Sequence, residues 1–194
     1  FVGITGEREA AEAMERVVRE LTAAGATVVE VAMTGYDEEY AKTRLIDPGA
    51  LKAGWEAYLS RGARPGEPRL TIQSLIASGK MAPGGQRRLE GALAPPPADA
   101  SHERFLAARL AYRARLVAAM DAAQVETLIY PANQARPHTH DGGAGRYGTE
   151  PGTCEESAST GLPQVTVPAG YMGGRYPVGV SFLGRMWTDR RMLG

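Results

Sequence analysis

Residues 161–185 limit what this chain can fold into more than any other stretch. Gly161-Leu162-Pro163 leads into Gln164-Val165-Thr166-Val167, which Pro168 closes. Gly170 follows, then Gly173-Gly174. Pro177-Val178-Gly179 opens a second apolar run that stops at Gly184-Arg185. β-Branched and aromatic side chains suit a pleated, half-buried surface. Proline lacks the N–H that a ladder needs, and glycine permits sharp turns and close backbone approach. Pro163 and Pro168 therefore bracket a short buried strand, 164–167. A turn at Gly173-Gly174 returns the chain into another strand, 178–183. Most of these residues read as builders of the fold and not as chemistry.

The remaining segments read as one α/β domain. A short strand at 2–4, a helix at 7–24 and a strand at 27–31 form a βαβ unit, so its two strands should be parallel. Met14, Val17, Val18 and Leu21 fall on one face of that helix, and Gly25 supplies its C-terminal cap. Helices follow at 36–46, then around Leu51, Trp55, Tyr58 and Leu59, then around Ile72, Leu75 and Ile76, closed by Gly79. A weaker one spans 86–93. Pro95-Pro96-Pro97 is a stiff spacer, and Ser101 caps a long helix to about 123 with Phe105, Tyr112, Leu116 and Met120 as its stripe. A strand at 126–130 precedes a long glycine-rich loop, 131–162. Loops of that length are usually functional or disordered.

Composition narrows the function classes. Lys+Arg and Asp+Glu are both 22, and the one basic cluster, Gln86-Arg87-Arg88, is too short to mark a nucleic-acid surface. The single cysteine, Cys154, excludes an internal disulfide and fits a reducing compartment. No run approaches the ~18 apolar residues of a membrane span. The expectation is a cytoplasmic protein without nucleic-acid or membrane partners. The chain opens on Phe1, with strand character at once, and closes on a capped helix barely begun at 188–194. That pattern predicts a piece of a longer polypeptide.

Several constellations could carry chemistry. Gly3-Ile4-Thr5-Gly6 has the βαβ context of a dinucleotide site, with Glu30 at the end of the second strand, but it lacks the third glycine. His138 and His140 with Cys154 offer zinc ligands without a matched pair such as C-x-x-C, so no metal or other cofactor is expected. Cys154 beside either histidine would be a nucleophile and base; an idle thiol is the plainer reading. No G-x-S-x-G elbow and no S-x-x-K occurs among the serines and the three lysines, Lys42, Lys52 and Lys80.

The run Ser157-Ala158-Ser159-Thr160-Gly161-Leu162-Pro163, the strand to Pro168-Ala169-Gly170-Tyr171, and Tyr176-Pro177-Val178-Gly179-Val180-Ser181-Phe182-Leu183-Gly184-Arg185 with Asp189 and Met192-Leu193 resemble the late core of the amidase-signature family. Leu128-Ile129-Tyr130-Pro131 is similar to that family's strand ending in proline before a substrate-side loop. The resemblance implies a mixed β-sheet covered by helices, the C-terminal part of an α/β/α fold. Residues 1–194 would form one domain part, with a helical layer at 36–123 and late core strands at 126–184. It implies amide hydrolysis by a serine, a cis-serine and a lysine, all upstream of this chain. No catalytic residue falls within it, and the isolated chain is expected to be inactive. Asn133, Thr160, Gly161 and Leu162 would line the substrate side. The implied partners are a small amide substrate, the missing N-terminal half and a second copy of the chain. Two other readings remain: an amidase-like binding or scaffolding subunit without the triad, and an independent enzyme using Cys154 or the histidine loop.

Overall fold

The computed structural model describes residues 8–31, 38, 48–62, 66–81, 83–95, 101–133 and 155–194. The first helical pattern becomes α1, Arg8–Ala23, which buries Ala10, Ala13, Met14 and Val17. It ends in a paired cap: the Ala26 N–H donates to Leu21 O at 2.9 Å and the Gly25 N–H to Thr22 O at 3.0 Å. Gly25 sits at φ +94°, where a Cβ would be strained.

Three helices then build a small core of their own. These are α2, Pro48–Arg61, α3, Ile72–Ala77, and α4, Pro83–Leu93. Leu59, Ile72 and Leu89 are buried together, with Trp55, Leu75, Ile76, Met81 and Leu93 against them. Thr71 caps α3 reciprocally, its hydroxyl accepting from Ser74 N while Ser74 Oγ accepts from Thr71 N. The expected stripe of α2 is narrower than the sequence suggests. Tyr58 remains 66% exposed and meets Trp55 edge-on, with ring centroids 6.1 Å apart.

Helix α5, His102–Ala122, starts at Ser101, whose hydroxyl accepts from Arg104 N at 3.1 Å. Ser101→Ala should cost about 1 kcal/mol in urea unfolding, the usual loss for a side-chain N-cap. A change near zero would show that water replaces the cap at no cost. Tyr112, Leu116 and Met120 carry the buried face.

The described sheet has three antiparallel strands in the order β1-β3-β2. They are β1, Leu128–Pro131, β2, Gln164–Met172, and β3, Tyr176–Leu183. Alternation along each strand sends side chains to two faces. Ile129, Val180 and Phe182 meet Met14 and Val17 of α1. Leu128, Tyr130 and Leu183 meet Tyr112, Leu116 and Met120 of α5. The sheet is thus covered on both sides, giving the α/β/α layering that the resemblance implies, with all three described strands antiparallel.

Four expectations change. Residues 27–31 form no strand among the described residues, and the partner foreseen for them, 2–4, lies outside these residues, as does the helix at 36–46 apart from Glu38, which is helical. A β-branched run needs a ladder partner to become a strand. Pro168 does not end β2, which continues to Met172 through an irregularity between Pro168 and Tyr171. The proline is tolerated because β2 is an edge strand among the described residues. Arg16 of α1 donates to Ala169 O there at 2.8 Å, and Gly170 takes φ +103°. Within the expected loop, Glu155–Thr160 forms a short helix, α6. The final helix, α7, Asp189–Leu193, follows Thr188 without a side-chain cap, because the Thr188 hydroxyl donates to Arg185 O at 2.7 Å.

Candidate functional site

The residues expected on the substrate side fall into two groups. Thr160, Gly161 and Leu162 form the corner between α6 and β2. Thr160 is buried; its hydroxyl donates to Glu156 O and accepts from Leu162 N at 3.2 Å. The Gly161 N–H donates to Ser157 O at 2.7 Å, and Ser157 Oγ donates to Leu162 O at 2.7 Å. Gly161 needs its positive φ of +73° to turn the corner and stands exposed, with open space where a Cβ would lie. Leu162 is buried under it against Tyr112, Leu116 and Leu183.

Asn133 lies toward the other end of the sheet. Its Nδ2 donates to Pro177 O at 3.4 Å and its Oδ1 accepts from Gly179 N at 3.5 Å. Gly179 and Leu183 are separated along β3 by about 13 Å at the usual strand rise. The structure therefore brings Thr160, Gly161 and Leu162 together and sets Asn133 apart from them. Cys154, His138, His140 and Gly3-Ile4-Thr5-Gly6 lie outside the described residues.

Between these groups is a polar arrangement that sequence reading missed. Tyr130, Ser181 and Thr166 are register partners across the three strands, and Gln164 lies one pleat away on the same face. The Tyr130 hydroxyl donates to Gln164 Oε1 at 2.8 Å. Gln164 Nε2 donates to Ser181 Oγ at 3.1 Å and to Thr166 Oγ1 at 3.3 Å. The two hydroxyl oxygens are 3.0 Å apart. Ser181 is 0% exposed, Tyr130 is buried, Gln164 is half-buried and Thr166 is exposed. The legible signal was a polar residue at every second place, 164 and 166, in a strand otherwise apolar, with Ser181 in the next strand.

This row ties the three strands together by side-chain hydrogen bonds and contains no carboxylate, imidazole, amine or thiol. Ser181 has no base bonded to it among the described residues, so it is a hydrogen-bond partner here and not an activated nucleophile. The Gly184-Arg185 pair is architectural. The Gly184 N–H donates to Pro163 O at 2.9 Å, and a Cβ on Gly184 would stand 2.7 Å from Thr188 Oγ1. Arg185 reaches Asp121 at 2.8 Å and Val125 O at 3.1 Å, tying the end of β3 to the end of α5. Among the described residues, no helix is long and apolar enough to cross a membrane.

Solved structures that share this architecture are amidase-signature proteins. The peptide amidase in complex with the competitive inhibitor chymostatin is 26% identical, with a TM-score of 0.65, and the match covers 99% of this chain and 40% of that one. The native peptide amidase from Stenotrophomonas maltophilia is 24% identical over 94% of this chain and 37% of its own, with a TM-score of 0.63. The glutamyl-tRNA(Gln) amidotransferase chain from Thermotoga maritima is 18% identical over 95% and 36%, with a TM-score of 0.60. No curated protein matches. The Amidase family profile matches residues 1–193, and the chain belongs to that family. It spans 36–40% of the length of these solved relatives.

Proposed function

We propose that this chain is the C-terminal portion of an amidase that hydrolyses carboxylic amide C–N bonds. The observation that supports this is the family match along residues 1–193, with 26% identity to a peptide amidase over 99% of the chain. In this reading a serine upstream attacks the amide carbonyl carbon. A lysine takes the serine proton through a bridging cis-serine, and the C–N bond breaks as the amine leaves with that proton. Water then hydrolyses the acyl-serine. Residues 1–194 supply part of a single domain, and no member of the triad is assigned to them. Gly161 and Asn133 serve as walls of the substrate side, with Thr160 and Leu162 fixing the corner beneath Gly161. The protein works in the cytoplasm with a small amide as substrate; the N-terminal half of the same polypeptide and a second copy are its candidate partners.

A peptide amide is the first substrate to test. The reading requires that the codons upstream of Phe1 encode a Gly-Ser-Ser-Gly-like run and an earlier lysine. It also requires that the polypeptide translated from the whole reading frame release ammonia from a peptide amide. A start codon directly before Phe1 would overturn it in favour of a non-catalytic amidase-like protein.

A further inference from the structure

No further inference is drawn: the strongest candidate, the apolar cleft on helix α2 lined by Ala50, Leu51, Gly54, Trp55 and the exposed Tyr58, is an unpartnered face of a chain that spans 36–40% of the length of its solved relatives, and nothing in the structure shows what covers it.

Discussion

Leu183→Ala should lower the free energy of unfolding by about 3 kcal/mol, the middle of the range for removing a buried leucine. Leu183 is 0% exposed and closes β3 between Leu128 on β1 and Gln164 on β2. It packs with Tyr112, Leu116 and Met120 from α5 and with Leu162 from the corner after α6. Separate elements thus meet at one side chain. Truncation leaves a cavity whose walls they hold apart, so collapse is limited. Urea unfolding should show a lower midpoint with an unchanged slope. Leu193→Ala, at a residue 75% exposed, should change the midpoint little. Equal effects of the two substitutions would show that the core does not sit where α5 crosses the sheet.

Gly179→Ala should cost about 1–3 kcal/mol, as inserting a methyl group into a packed site does. The new Cβ would lie 2.9 Å from Thr166 Cγ2, 3.1 Å from Ala132 Cβ and 3.3 Å from Val167 O. The last two atoms belong to or sit directly on backbone, in segments bonded to β3 on either side. They cannot yield independently, and the Thr166 methyl gives way first. Thr166→Ser removes the methyl and should recover part of that cost in the double variant. Additive costs would show that Gly179 and Thr166 do not act through each other.

Helices α1 and α5 were legible because each carries a clear apolar face and a local cap, Gly25 in one and Ser101 in the other. Strand β3 was legible because Pro177 and Gly184 flank an apolar run. The reach of β2 was not, because a proline stops a strand only where its missing N–H is needed. At an edge, with Arg16 supporting Ala169 O, the strand continues. Helix α6 was hidden because Ser157, Ser159 and Thr160 read as loop formers, although Ser157 Oγ and Thr160 Oγ1 both bond to local backbone carbonyls. Tyr58 misled because helical spacing places it on an apolar stripe without saying how wide the buried face is. The four residues expected on the substrate side came from resemblance alone. Their separation into a corner and a distant asparagine depends on strand register, which no local pattern supplies. The Tyr130–Gln164–Ser181–Thr166 row needs the same register, since it joins three strands from distant parts of the chain.

The amidase reading is tested most directly by turnover. Release of ammonia from a peptide amide should be indistinguishable from buffer for the purified 194-residue chain and clear for the polypeptide of the whole reading frame. Hydrolysis by the 194-residue chain alone, persisting when Cys154 is replaced, would contradict the placement of the catalytic residues outside it.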